Sequence, residues 1–256
     1  EKNGKVYKHN PETRIAYPIN GSLHIHNQTN AIWIGTDKGL ALFNPHKEQF
    51  ISFQNQQENP NSLLSNQIND IGESKDGKLW VCAHMGGVSV LDLNENVFTS
   101  PENLHFQNIR VTNDLHGISS PNAKCFLQDS FGNIWLGNYR GGVDFLSYNQ
   151  PVFRTLAYNT LKDGALTDKQ VWGLAIDSKS RIWLGGENEI AIFSPDMKLQ
   201  KTLSLNGIAN PHTMRRHIKD KKGIIWLGLY KDGILTCDPQ TEKITRIELD
   251  DKSADI

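Results

Sequence analysis

The chain has 256 residues, and its 38% hydrophobic content, 21 glycines and 10 prolines are typical of a turn-rich globular protein rather than a disordered or fibrous one. The 27 basic and 28 acidic side chains leave a net charge of −1, which argues against a nucleic-acid surface, since such surfaces carry a basic excess or patch. No apolar run approaches the length of about 18 residues that crosses a membrane, so this chain is not expected to insert into one.

Two predicted strands at 4–17 open the chain, and five copies of one sequence unit follow, each marked by a tryptophan. The tryptophans are separated by 47, 55, 48 and 43 residues, and each is preceded by turn-forming residues and followed two positions later by glycine or cysteine. Short strands and turns at this period predict an all-β fold, a β-propeller whose blades are four-stranded antiparallel sheets. The strands at 4–17 match the second half of a unit and predict a leading half blade. The five full blades are expected at 23–53, 67–98, 123–155, 170–205 and 214–249.

Two segments of the first two blades are candidates for more than a structural role. His24 and His26 alternate along the first strand and share one face, as two metal ligands would, but the sequence places no third ligand, so no metal site is predicted. The outer strand of the second blade is expected near Val97. The connection 99–121 that follows is the longest in the chain, and both a solvated insertion and a binding element are consistent with it. It contains His105, Phe106, Arg110 and His116.

The six tryptophans divide into two groups. Five occupy the repeated position on an apolar strand and are predicted to be buried and structural, because a buried tryptophan removes about 150 to 250 Å² of surface from water. These five are Trp33, Trp80, Trp135, Trp183 and Trp226. Trp172 lies outside the register, near the start of the fourth blade, and is therefore a candidate for ligand contact.

Each of the three cysteines lies in an apolar strand of a different blade. An odd number with this distribution indicates neither a disulfide framework nor a zinc site. Cys82, Cys125 and Cys237 are therefore predicted to be buried free thiols.

The repeated units resemble a known family. The stretches NPNSLLSNQINDIGESKDGKLWVCAHMGGVSVLD, FLQDSFGNIWLGNYRGGVDFL and IWIGTDKGLALFNP are similar to the two-component regulator propeller repeat, and the similarity extends over essentially the whole chain. That repeat builds the periplasmic sensor regions of hybrid two-component systems, in which seven-bladed propellers precede an immunoglobulin-like domain, a membrane helix and a histidine kinase.

The resemblance implies that this chain is part of one seven-bladed ring, which needs about 330 residues at this period. It also implies a periplasmic, membrane-anchored receptor in which this region senses an oligosaccharide, or supports the domain that does, and relays the signal to a cytoplasmic histidine kinase. The implied partners are an oligosaccharide, the remaining sensor domains of the same chain and a second copy in a homodimer. No cofactor is expected, and this region carries no kinase motif.

A ligand is expected at the rim, formed by the loops between the second and third strands of each blade and by the starts of the first strands. Aromatic faces stack on sugar rings, and arginine offers a planar fork to a carboxylate or sulfate. The candidate ligand-binding residues are His84, Asn138, Tyr139, Arg140, Trp172, Glu187, Arg215, Arg216, Tyr230 and Lys231. A solvated polar rim is the alternative interpretation.

Two other functions compete with the sensor. A protein-interaction scaffold of the WD-repeat kind is disfavoured because the Trp-Asp ending of that repeat is absent. A propeller lyase or glycosidase would need paired carboxylates around one cavity. Asp37, Glu187 and Asp232 belong to different blades, and the sequence does not set their separation. No catalytic residue is therefore predicted.

Overall fold

The computed structural model describes residues 19–26, 28–93, 97, 104–112, 117–149, 153–156, 166, 168, 170–209, 214–229 and 233–247. These residues form twenty strands in five four-stranded antiparallel sheets, and in each sheet the strands are adjacent in sequence order. Such a sheet is the blade of a β-propeller, which confirms the predicted fold class. The half blade expected at 4–17 lies outside the described residues. The chain divides into two compact units, residues 1–110 and 111–256.

The first unit contains two blades. The strands of the first blade are β1 (Ile19–Ile25), β2 (Ile32–Thr36), β3 (Gly39–Asn44) and β4 (Gln49–Phe53). Those of the second are β5 (Ile68–Glu73), β6 (Lys78–Ala83), β7 (Gly87–Asp92) and β8 (Gln107–Ile109). Strand β6 is buried along nearly its whole length, as expected for a strand covered on both faces.

The second unit contains three blades. The third blade consists of β9 (Ala123–Gln128), β10 (Ile134–Asn138), β11 (Gly142–Leu146) and β12 (Phe153–Leu156). The fourth consists of β13 (Gly173–Ile176), β14 (Ile182–Gly185), β15 (Glu189–Phe193) and β16 (Leu199–Ser204). The fifth consists of β17 (Met214–Lys219), β18 (Ile225–Leu229), β19 (Ile234–Asp238) and β20 (Lys243–Ile247).

The fourth strand of the second blade is not at Val97, and that part of the strand prediction was wrong. The strand is β8, which pairs with β7 through Val88 and Ile109. The side chain of Asn108 holds it in place, since its amide nitrogen donates to the backbone oxygens of Pro60 (2.8 Å) and Ser62 (2.9 Å). Part of the long connection is therefore a structural strand.

The repeat tryptophans share a hydrogen bond that the sequence pattern did not reveal. In four repeats the indole N–H donates to the side chain six positions earlier, with donor–acceptor distances of 2.9–3.2 Å. The pairs are Trp80–Ser74, Trp135–Asp129, Trp183–Asp177 and Trp226–Asp220. The equivalent partner of Trp33, Asn27, lies outside the described residues. The polar residue predicted to close a turn therefore also satisfies the indole.

Four of these five tryptophans are buried, and the fifth is not. Trp33, Trp135 and Trp183 are 0% exposed and Trp80 is 6% exposed, whereas Trp226 is 37% exposed. Trp183 packs in a cluster with Ile225 of the following blade. The expectation of a buried indole therefore does not hold for Trp226.

The small residue two positions after the tryptophan makes room for the next blade. A Cβ atom on Gly137 would lie 2.4 Å from the Sγ of Cys125 and 2.8 Å from a methyl group of Val171, which directly precedes the fourth blade. In the first unit, a Cβ on Gly35 would lie 2.8 Å from a methyl group of Ile68. Both separations are too short for a real contact, so glycine is needed at these positions.

All three cysteines are buried thiols, as predicted. Burial, together with the nearby charges of Asp238 and Glu242, raises the pKa of Cys237 to about 12. This thiol therefore stays protonated at neutral pH and is a poor nucleophile.

Arg181 connects the fourth and fifth blades. Its guanidinium donates to Asp177 (2.6 Å), to Glu242 (2.9 Å) and to the backbone oxygen of Pro239 (2.6 Å). Burial acts in the opposite direction, but the hydrogen bonds from Trp183 and Arg181 hold the pKa of Asp177 below its ordinary value. The result is a charged network between two blades of one unit.

Candidate ligand-binding site on the third and fourth blades

Three of the predicted rim residues form one cluster in the second unit. The rings of Tyr139 and Trp172 meet edge to face, with centroids 5.9 Å apart and planes at 68°. The guanidinium carbon of Arg140 lies 5.2 Å from the centre of the Tyr139 ring. Lys124, on β9, places its ammonium 5.5 Å from the Trp172 ring and 5.8 Å from the Tyr139 ring. These four residues are the aromatic–cationic cluster.

Backbone hydrogen bonds fix the two aromatic residues from both sides. The N–H of Tyr139 donates to the oxygen of Asn122 (2.9 Å), and an isolated bridge pairs Tyr139 with Gln170. The N–H of Trp172 donates to the oxygen of Gly185 (2.9 Å), at the end of β14. The cluster is therefore held between two blades rather than on a free loop. Arg140 is exposed, and the other three side chains are half-buried.

Asn138 supports this loop from inside and does not face solvent. It is 0% exposed, and its amide nitrogen donates to the carboxylate of Asp144 (2.8 Å). The same carboxylate accepts the backbone N–H of Ser119 (2.9 Å) and the hydroxyl of Thr155 (2.7 Å). The sequence placed Asn138 among the ligand contacts because it ends a strand at the rim. The strand register turns it toward β11, so it is a positioning residue.

The loop of the third blade has a left-handed residue followed by a closely packed glycine, as does the equivalent loop of the second blade. Arg140 has a φ of +59°. Met85, at the equivalent loop position of the second blade, has a φ of +56°. A Cβ on Gly141 would lie 2.7 Å from the Cβ of Ser120, and one on Gly86 would lie 3.0 Å from Leu64 and Ser65. The loop therefore packs closely against the segment that enters its own blade, and a left-handed residue precedes the close contact.

The other candidates lie outside the cluster or outside the described side chains. His84 belongs to the first unit, where its backbone N–H donates to the oxygen of Gln67 and its side chain is half-buried. Glu187 is half-buried in the shorter loop of the fourth blade. Arg215 and Arg216 lie on β17, but their side chains, like Tyr230 and Lys231, are outside the described residues.

Two carboxylates approach each other in that shorter loop. Asp168 accepts the backbone N–H of Asn188 (3.0 Å), and it lies against Gly186, where a Cβ would be 2.1 Å from a carboxylate oxygen. Burial and the charge of Asp168 raise the pKa of Glu189 above its ordinary value. This loop lacks the Gly-Gly pair of the second and third blades, and Glu189 begins β15 directly.

The first unit contains two further candidate sites, a histidine pair and a long connection. His24 forms a hydrogen bond with Glu73 (2.8 Å), and across the described residues no group of three or more His, Cys, Asp or Glu side chains is arranged to hold a metal. A cleft of about 600 Å³ lies beside β8, and His105 and Arg110 are in its lining. Phe106 is buried in the core, so the long connection has a structural part and an open cleft.

Comparisons with known proteins agree with the repeat pattern. The family model described as "Two component regulator propeller" matches residues 117–140, which include Lys124, Tyr139 and Arg140. The chain is also 24% identical over 196 residues to Histidine kinase P4 of Formosa agariphila, across 61% of this chain and 14% of that protein. The chain therefore spans only a small part of the length of this curated relative.

Solved structures share the fold. An extracellular domain described as that of a hybrid two component system from B. thetaiotaomicron superposes with a TM-score of 0.69 at 22% identity, over 89% of this chain and 29% of that chain. A gluconolactonase from Xanthomonas campestris superposes with a TM-score of 0.57 at 11% identity, over 84% of this chain and 70% of that chain. At these identities the likeness concerns the fold alone. In the part of the chain that the structure describes, no helix is long and apolar enough to cross a membrane.

The repeated tryptophan units, the four-stranded blades and the family match agree with one another. Residues 117–140, in the third blade, match the two-component regulator propeller repeat.

Proposed function

We propose that this chain is an extracytoplasmic, periplasmic sensor module of a hybrid two-component protein. It recognises an oligosaccharide and passes the signal to a cytoplasmic histidine kinase elsewhere in the same protein. The repeat family and the similarity to a histidine kinase support the signalling part of the proposal. The aromatic–cationic cluster is the observation that supports recognition of a sugar.

The cluster has the chemistry that a sugar ring requires. The C–H groups on one side of a pyranose pack against an aromatic face, and hydroxyl groups at its edge bond to polar side chains. Trp172 and Tyr139 meet edge to face, so their surfaces form a corner rather than a flat wall. Lys124 and Arg140 supply hydrogen-bond donors beside that corner.

A protein-interaction propeller is the alternative function, and one observation favours it. Phe131 is 61% exposed and Tyr148 is 69% exposed on the third blade. The Tyr148 ring lies against Gly132, where a Cβ would be 3.2 Å away, so the two exposed aromatics come from neighbouring turns. Exposed aromatic residues of this kind are enriched in protein interfaces.

A thermal-shift experiment tests the proposal. The chain is melted with a panel of defined oligosaccharides, and we expect one of them to raise the melting temperature, because a ligand that binds only the folded state stabilises it. The shift should disappear in Trp172→Ala and persist in Tyr148→Ala, which removes an equally aromatic side chain outside the cluster. If no oligosaccharide changes the melting temperature, or if Tyr148→Ala alone abolishes the shift, the proposed site is wrong.

A further inference from the structure

Two cations share one aromatic ring in the cluster. The ammonium of Lys124 and the guanidinium of Arg140 lie 5.8 and 5.2 Å from the centre of the Tyr139 ring. Lys124 is also 5.5 Å from the Trp172 ring. A lysine from strand β9 and an arginine from the loop between β10 and β11 are thus brought to the Tyr139 ring.

This arrangement favours a negative ligand on electrostatic grounds. Two positive charges beside one ring repel each other, and a cation–π contact at an exposed site offsets only about 0.5–1 kcal/mol. The ion pairs among the described residues do not include Arg140. An anion that contacts both cations would remove the repulsion and add charge-assisted hydrogen bonds.

The loop conformation fixes the backbone from which the Arg140 side chain extends. Met85, with nearly the same φ, shows that the left-handed residue is a property of the loop, whereas the arginine belongs to the third blade. The loop is packed through Gly141 against Ser120, so ligand binding at Arg140 would have to order the side chain but not the backbone.

We propose that this site binds an acidic sugar. A uronate carboxylate or a sulfate ester contacts Lys124 and Arg140, and the sugar ring that carries it packs against Trp172. A planar guanidinium can bind either group with two parallel hydrogen bonds. This inference rests on the proposed function, because it names the class of oligosaccharide that the sensor recognises.

The anion site is tested first without an oligosaccharide. Sodium sulfate and sodium glucuronate are titrated separately at constant ionic strength against sodium chloride, and the side-chain Nε–H resonance of Arg140 is followed by NMR. We expect a saturable shift with sulfate or glucuronate and none with chloride. Lys124→Gln should weaken the binding by about tenfold, the effect of losing one charged contact. Lys221→Gln, which removes an exposed lysine in the same unit, should not.

The outcomes separate the anion site from the sensor function. No saturable shift in the wild-type chain, or an equal loss of affinity in Lys124→Gln and Lys221→Gln, overturns the anion site. Saturable binding of sulfate alone or of glucuronate alone supports it and tells the two acidic groups apart.

Matched oligosaccharides then test the sugar class. Uronic-acid oligosaccharides are compared with their carboxyl-reduced forms, and sulfated ones with their desulfated forms. We expect at least one acidic member to bind about tenfold or more tightly than its neutral counterpart, and Arg140→Gln to remove that preference. Equal binding of acidic and neutral forms overturns the inference and leaves the sensor function standing. Sulfate or glucuronate binding without any oligosaccharide binding supports the anion site and contradicts the sensor function.

Discussion

The aspartate six residues before a repeat tryptophan combines two structural roles in one side chain. One oxygen of Asp129 accepts the backbone N–H groups of Phe131 and Asn133, and the other accepts the indole of Trp135. Asp220 makes the same set of bonds in the fifth blade, at a position exposed to solvent. The two copies thus differ in burial but share these three bonds, and Asp129 also accepts the side-chain amide of Asn133.

This difference predicts unequal effects of the same substitution. Asp129→Ala leaves a fully buried indole N–H and two turn N–H groups without their acceptor, so the free energy of unfolding should fall by about 3 kcal/mol, since each unsatisfied buried donor costs about 1–3 kcal/mol. Asp220→Ala should cause a markedly smaller loss, because water can replace the carboxylate around Trp226. Urea denaturation of the wild type and of both variants measures these losses in the free energy of unfolding. Equal losses would show that the indole bond contributes little and that the turn alone matters.

At the scale of the element, the network around Arg181 connects neighbouring blades and makes stability depend on pH. The pKa of Asp177 is below its ordinary value of 3.8 in the folded chain. A carboxyl group with a lowered pKa stabilises the fold above its unfolded pKa, and the contribution is lost as the pH falls through the folded value. The network should therefore stabilise the fold at neutral pH and cease to do so in strong acid.

Asp177→Asn tests this dependence. At pH 7 the variant should melt below the wild type, and the difference should shrink as the pH falls below about 4, because the wild-type carboxylate then becomes protonated as well. Asp196→Asn is the control, since Asp196 pairs with Lys198 at an exposed position where solvent screens the charges. If the melting temperature of Asp177→Asn lies as far below that of the wild type at pH 3 as at pH 7, the charge of Asp177 is not what stabilises the fold.

Much of the element pattern could be predicted, because the tryptophan repeat marks one strand of every blade and the turns mark its neighbours. The exception is β8, a three-residue strand after a long connection. A segment of that length has no periodicity of its own, and its place depends on Asn108 bonding to the backbone near Pro60. Such a contact, 48 residues away in sequence, leaves no local signal.

The candidate site was only partly predictable for a similar reason. Tyr139, Arg140 and Trp172 could be named because the repeat places them at loops or outside the tryptophan register. Lys124 was missed, since a lysine in an alternating strand is ordinarily read as a solvent-facing residue. The burial of Asn138 depends on the register between β10 and β11 and on the carboxylate of Asp144. The position of a residue in the sequence repeat therefore reveals neither the contact of Lys124 with the rings nor the burial of Asn138.

At the scale of the whole molecule, repeated blades make stability depend on neighbours. Within each unit, neighbouring blades pack face to face, as in other repeat proteins whose repeats contact only adjacent repeats. Within the second unit the fourth blade lies between two others, and β14 is buried throughout. The fifth blade exposes Ile218 and part of Trp226.

Hydrogen exchange should reveal this gradient within the second unit. We expect the amides of β14 to exchange at least about tenfold more slowly than those of β18 and β20, because a strand covered on both faces opens only when more of the unit unfolds. The comparison uses one sample and strands of similar length, so differences in overall stability cancel. Equal protection in the fourth and fifth blades would show that the unit opens as one cooperative body, and that the exposed face of Trp226 does not weaken its own blade.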